Sequence, residues 1–217
     1  EQTGTFLVDD TLKTLQNLAL YHRKTFRMPF IGIGGSNGKT TTKELVHSVL
    51  SQKFKTVSTP GNLNNHIGVP LTILGIKPDV EIAVIELGAN KIGDVKELCG
   101  IADPDYGIIT NIGKEHLEGF GSLEGVAKAE SELYYHLLIH KGLAFVNADD
   151  DWLMRMAGRL EAKHLYSVKH KDAETYGKCI SDFPEIEFEY AGLTIKSALS
   201  GSYNLENIMA AVAIGQY

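Results

Sequence analysis

The triplet Gly38-Lys39-Thr40 stands at the junction between a short apolar run, Phe30 to Ile33, and a segment with helical spacing at Leu45, Val46, Val49 and Leu50. Residues of these types at such a junction bind phosphate. Glycines let backbone N–H groups wrap an anion, and the helix that follows presents the positive end of its dipole. Lys39 would sit on the outer phosphates, and the Thr40 hydroxyl would ligand a magnesium ion. The common pattern G-x-x-x-x-G-K-[ST] has a glycine five residues before Gly38, where this chain has Ile33; its glycines fall at Gly32, Gly34 and Gly35. The plainer reading is a glycine-rich turn with a chance lysine. A G-K-T-T run between a strand and a helix seldom arises that way, which favours nucleotide binding.

Three further groups belong to the same chemistry. The apolar run Glu81 to Ile85 ends at Glu86, and a carboxylate at the C-terminal end of a buried strand is where a phosphate-loop protein holds magnesium. The strand Tyr106 to Thr110 ends at Asn111, and His116 follows five residues on. A lone histidine is usually a loop or core residue. Strand ends of an open parallel sheet share one crevice, however, which brings His116 towards Thr40 and Glu86. The loop Thr59 to Thr72 carries Asn62, Asn64 and Asn65; asparagines stabilise turns by bonding their own backbone, and they also contact ligands.

The elements that must position these residues alternate between strand and helix. Asp9 or Asp10 caps a first helix with Leu12, Leu15, Leu18 and Ala19 on one face. Strands are expected at Phe30–Ile33, Thr56–Ser58, Glu81–Ile85, Tyr106–Thr110 and Leu143–Val146. Helices are expected from the phosphate loop to about Gln52, from Ser122 through Leu137, after Asn147-Ala148-Asp149-Asp150-Asp151, and from Ser202. This pattern predicts an α/β fold: a mostly parallel sheet of phosphate-loop type flanked by helices. Short alternating runs at Thr175–Ile180, Ile186–Tyr190 and Leu193–Ser197 predict a small antiparallel β subdomain spanning 163–200.

With 217 residues the chain can bury one substantial core. A net charge of −6 and the lack of a sustained Lys/Arg run exclude a nucleic-acid surface; the cluster Lys163, His164, Lys169, His170, Lys171 reads as a solvated loop. Cys99 and Cys179 lack metal-ligand spacing and read as reduced thiols. No apolar run is long enough to span a membrane, so a cytoplasmic monomer without membrane insertion is expected. The chain begins without methionine and stops inside an apolar-periodic segment, from which a larger parent is expected.

Taken together, Gly35-Ser36-Asn37-Gly38-Lys39-Thr40-Thr41, Glu86 within Ile85-Glu86-Leu87-Gly88-Ala89, Asn111 through His116-Leu117-Glu118, and Asn204-x-x-Asn207 resemble the motifs of the ATP-dependent Mur ligases of peptidoglycan synthesis. Within that family, Gly61 to Thr72 and His116 to Ser122 look most like the branch that joins D-alanyl-D-alanine to UDP-N-acetylmuramoyl-tripeptide. The resemblance runs from about Phe30 to the C-terminus and is weakest over Lys163 to Ser200.

What the resemblance implies is a three-domain enzyme of which this chain is the central ATPase domain. Residues 1–28 would be an entry linker and helix, and the UDP-sugar and C-terminal ligase domains would lie outside the chain. ATP and magnesium would be its cofactors. Gly35 to Thr41 and Asn111 would bind the nucleotide, Asn204 and Asn207 the adenine, and Asn62, Asn64 and Asn65 the substrate. Thr40 and Glu86 would hold one magnesium. Family members carry a carbamylated lysine, in the helix after His116, that helps hold a second; here Glu130 falls at that position, with Lys128 two residues earlier. The expectation is that Glu130 supplies the carboxylate beside His116, a carbamate on Lys128 being the alternative. The catalytic set is then Lys39, Glu86, His116 and Glu130. Other readings are a sister Mur or folylpolyglutamate-type ligase, or a nucleotide-binding switch module; the fragment alone is expected to be inactive as a ligase.

Overall fold

The computed structural model describes residues 4–113 and 117–217, with backbone alone at 117 and 118. Its centre is a seven-stranded sheet of β1 (Phe30–Gly34), β2 (Thr56–Ser58), β3 (Ile82–Glu86), β4 (Tyr106–Ile109), β5 (Leu143–Asn147), β6 (Lys163–Ser167) and β7 (Thr175–Tyr176). The strand order is β2-β3-β1-β4-β5-β6-β7, and every pairing in it is parallel. The helices are α1 (Thr11–Arg23), α2 (Lys39–Leu50), α3 (Gly68–Leu74), α4 (Asp94–Ala102), α5 (Leu117–Phe120), α6 (Leu123–His140), α7 (Asp151–Met156) and α8 (Ser202–Gln216).

Crossover handedness distributes the helices. The step from β1 to β2 runs one way along the sheet, whereas β2 to β3, β3 to β4, β4 to β5 and β5 to β6 all run the other way. Right-handed connections therefore put α2 on one face and α3, α4, α6 and α7 on the other. The core divides accordingly: Phe30, Ala83, Ile85, Ala144 and Val146 pack with α1, α3, α4, α6 and α7, and Ile31, Ile33, Val84, Ile108 and Phe145 pack with α2 and α8. Strands buried on both faces read as continuous apolar runs, as these do. Connections from β1 and β3 leave on opposite faces, so the crevice beyond their carboxyl ends is where this architecture takes a ligand.

A three-stranded antiparallel sheet, order β10-β9-β8, contains β8 (Lys178–Ser181), β9 (Ile186–Tyr190) and β10 (Leu193–Ser197). Ile186 and Phe188 plug it into the α2 and α8 side of the core. The sequence placed the start of this subdomain at residue 163. Instead β6 and β7 extend the parallel sheet, with Tyr166, Ser167 and Thr175 buried there, and the antiparallel strands begin at Lys178. Helix α4 was not anticipated at all.

The first helix also differs from expectation. Asp10 caps it, accepting from Lys13 N at 2.9 Å, but Leu12 and Leu18 face outward and the buried residues are Gln16, Ala19 and Arg23. Two polar anchors set this rotation. Gln16 donates to Glu97 Oε1 at 2.6 Å; Arg23 donates to Ala102 O at 2.9 Å, to Asp103 O at 2.7 Å and to Asp105 Oδ2 at 3.0 Å, with its guanidinium 3.9 Å from the Phe30 ring centre. Satisfied buried polar groups outrank two exposed leucines. Replacing the cap, Asp10→Ala, is expected to cost about 1 kcal/mol, a drop of roughly 2–4 °C in melting midpoint; an unchanged melting curve would show that the cap contributes nothing.

Candidate nucleotide site

Three loops meet at the carboxyl ends of β1, β3 and β4. The loop after β1 turns through Gly35, at φ 112°, and Gly38, at φ 79°. A Cβ on Gly35 would lie 2.7 Å from Thr110 N, and one on Gly38 would lie 2.8 Å from Asn207 Oδ1, so both positions demand glycine.

The loop is braced from β4. Asn111 accepts from Asn37 N at 3.1 Å through Oδ1 and donates to Asn37 O at 2.9 Å through Nδ2, while its backbone oxygen takes Ser36 N at 3.0 Å. Thr110 Oγ1 adds a bond to Asn37 O at 2.7 Å. From below, Glu130 on α6 accepts Gly35 N at 2.6 Å. Three loop amides are therefore held by the protein's own acceptors. The anion-binding capacity lies at the N-terminus of α2, whose N-cap residue, Gly38, offers no side-chain cap. Lys39 Nζ lies over the loop, donating to Gly35 O and, at 3.0 Å, to Ser36 O.

Glu86 ends β3 almost fully buried. Its Oε1 accepts from Thr40 Oγ1 at 3.2 Å and from Asn64 Nδ2 at 2.8 Å. Its Oε2 is buried without a hydrogen bond among the described residues and lies 3.8 Å from Lys43 Nζ. Magnesium bonds of about 2.1 Å at right angles set neighbouring ligand oxygens about 3.0 Å apart. The Thr40–Glu86 spacing and the all-oxygen donor set fit such an ion.

Lys43 is the residue beside Glu86 that sequence reading missed. It is completely buried, donating to Thr59 O and Gly61 O at 2.7 Å each, and it pairs with Glu44 at 3.0 Å. Thr59 in turn accepts Glu86 N at 2.9 Å. The signal was present: Lys43 shares a helical stripe with Val46 and Leu50, a place where a lysine is buried only if paired.

The other expected residues separate. Asn64 joins Glu86, as above. Asn65 caps α3, accepting from Ile67 N at 3.0 Å and Gly68 N at 2.9 Å, which is the turn-stabilising alternative. Asn62 is exposed. Asn207 accepts from Thr42 Oγ1 at 3.2 Å and donates to Asn204 Oδ1 at 3.2 Å, tying α8 to the start of α2. Between them Glu206 accepts from Asn147 at 3.2 Å; burial, then the charge of Asp149, raises its carboxyl above the usual range. Glu130 is buried and Lys128 exposed, so on α6 it is the glutamate that faces the loop. His116 lies outside the described residues.

The Mur ligase middle domain model matches residues 33–215. The UDP-N-acetylmuramoyl-tripeptide–D-alanyl-D-alanine ligase of Bacillus subtilis is 38% identical over all of this chain and 47% of its own length. Among solved structures, MurF from Acinetobacter baumannii superposes with a TM-score of 0.87 at 31% identity, covering 97% of this chain and 48% of that one. MurF ligase from Thermotoga maritima, in complex with ADP, gives 0.84 at 31% identity over 100% of this chain and 52% of that one. The chain thus spans about half the length of the relatives it matches. With the pattern matched over most of its length and the phosphate loop and acidic strand end in place, this chain belongs to the Mur ligase family, of which it supplies the middle domain.

Proposed function

We propose that the chain is the ATP-binding domain of a ligase that joins D-alanyl-D-alanine to UDP-N-acetylmuramoyl-tripeptide in peptidoglycan synthesis. The observation that carries this is the Thr40–Glu86 pair, 3.2 Å apart, beside Lys39 at an uncapped helix start. The substrates come from the relatives, which are named for that reaction. They are small molecules, and the parent acts as a cytoplasmic monomer; no described helix is long and apolar enough to cross a membrane.

A carboxylate resists attack by an amine, so it must first be activated. A tripeptide carboxylate oxygen attacks the γ-phosphorus of ATP, ADP leaves, and an acyl phosphate forms. The dipeptide amine then attacks the carbonyl carbon, phosphate leaves, and the amine loses a proton. The protein's task is to gather mutually repelling anions, by positioning and by placed positive charge. Lys39 exchanges the Gly35 and Ser36 carbonyls for the β- and γ-phosphates, and the start of α2 faces the same oxygens. Thr40 and Glu86 hold a magnesium ion, which supplies charge neutralisation when bound. Asn111 keeps the loop in register, and Glu130 with His116 is assigned to a second ion. Asn204 and Asn207 face the adenine, and Asn62 the substrate.

The test is phosphate release by the full-length protein with ATP, magnesium and UDP-N-acetylmuramoyl-tripeptide. Release that depends on D-alanyl-D-alanine is expected. Release only with another amine would reassign the substrate, and none with any amine would remove the ligase reading.

A further inference from the structure

At the edge of the sheet opposite the phosphate loop, where β4 and β5 begin, we propose that Asp103, His136 and His140 bind one divalent transition-metal ion of the zinc, cobalt or nickel class. His136 and His140 are four residues apart on α6 and so share a face; their rings stack with centres 4.1 Å apart and planes 22° apart. Asp103 ends α4 in the left-handed conformation, φ 42° and ψ 62°, which turns its carboxylate towards them. Asp103 Oδ1 lies 3.4 Å from His136 Nε2 and 3.3 Å from His140 Nδ1, and the three ligand atoms all fall within 4.8 Å of one another. Tetrahedral bonds of about 2.0–2.1 Å separate neighbouring ligand atoms by about 3.3 Å, which is the spacing on both sides of Asp103.

A second observation points to the same ion. The His136 side chain is only 10% exposed, and its Nε2, aimed at Asp103, satisfies no hydrogen bond among the described residues. Buried nitrogens are rarely left so. Two imidazoles with one carboxylate suit zinc, cobalt or nickel rather than magnesium.

The aspartate is held from behind, as metal ligands usually are. Its N–H donates to Cys99 O at 2.8 Å, and its carbonyl takes Arg23 Nη2 at 2.7 Å. Asp103 and His140 also line a cleft of about 370 Å³ with Pro104, Tyr106 and Lys141, through which an ion and a completing water can enter. The bound ion would clip the end of α4 to the end of α6.

The experiment titrates Co²⁺ into untagged, chelator-stripped protein in excess magnesium, which occupies the oxygen site at Glu86. One equivalent is expected to bind, with visible absorption typical of low-coordinate cobalt and displacement by Zn²⁺. His140→Ala, at a half-exposed position, and Asp103→Asn, which tolerates the left-handed backbone, are each expected to weaken binding at least tenfold. Zinc at a hundredfold excess over its Kd is expected to raise the melting midpoint of the unsubstituted protein by roughly 5–10 °C, and the variants lose that rise. No saturable uptake, or equal uptake by both variants, would mean that the three residues form only a packed helix junction.

Discussion

Replacing Lys39 with alanine is expected to lower ATP-dependent phosphate release at least a thousandfold in the full-length protein and to leave the fold intact. The amino group is the positive charge nearest the start of α2, and in the present conformation it rests on two backbone carbonyls, Gly35 O and Ser36 O. In the mechanism proposed above, phosphates replace those acceptors when nucleotide arrives, which would place the charge where negative charge accumulates in phosphoryl transfer. A single preorganised donor at such a position is worth about 10²–10³ in rate, and a cation on the transferred group about 10³–10⁵. Stability is insulated for a separate reason. Lys39 is half-buried at the mouth of the crevice, and water can satisfy both carbonyls once the side chain is gone. ADP titration should show weaker binding by one or two orders of magnitude, a smaller loss than that in turnover. Phosphate release at the unsubstituted rate, with an unchanged melting midpoint, would remove Lys39 from the chemistry.

Much of this site was legible because its signals are local. The strand, glycine turn and lysine occupy ten consecutive residues, Phe30 to Lys39, and Glu86 announces itself as an acid closing the apolar run Ile82 to Ile85. The caps at Asp10, Ser122 and Asp150 all accept the amides expected of them. What could not be read depends on partners far away in the chain. The rotation of α1 is decided by Gln16 meeting Glu97 and Arg23 meeting residues 102–105, about eighty positions later. The assignment of β6 to the main sheet follows from its pairing with β5, not from its own alternation. Asparagines 64 and 65 are adjacent and look alike, yet one reaches a buried carboxylate and the other caps a helix. Helix α4 carries Gly100 near its end, and its buried face is defined by α1, α3, α6 and β1, which pack against it from elsewhere in the chain.

Lys43 makes the same point with a larger consequence. It lies one turn beyond Lys39 but is completely buried, and its ammonium joins the loop after β2, at Thr59 O and Gly61 O, to the neighbourhood of Glu86. The expected result of Lys43→Met is a loss of about 3–5 kcal/mol in stability, roughly a 10 °C fall in melting midpoint for a chain of this size. The methionine fills nearly the same volume, so the loss is electrostatic: two carbonyls forfeit their donor, Glu44 loses its partner, and among the described residues the Glu86 carboxylate keeps the neutral donors Thr40 and Asn64. Adding Glu86→Gln removes the stranded charge, so the double variant should regain part of the loss relative to Lys43→Met alone, and urea unfolding of the four proteins measures that coupling. Strict additivity, or a fall of less than about 2 °C in the single variant, would mean that Lys43 supports the loop without balancing Glu86. The arrangement also leaves the other side of that carboxylate for the proposed magnesium. Lys43 approaches Oε2 at 3.8 Å, too far for a hydrogen bond, while Oε1 faces the Thr40 hydroxyl. One positive charge is built into the fold, and the proposed magnesium would bring a second with the nucleotide.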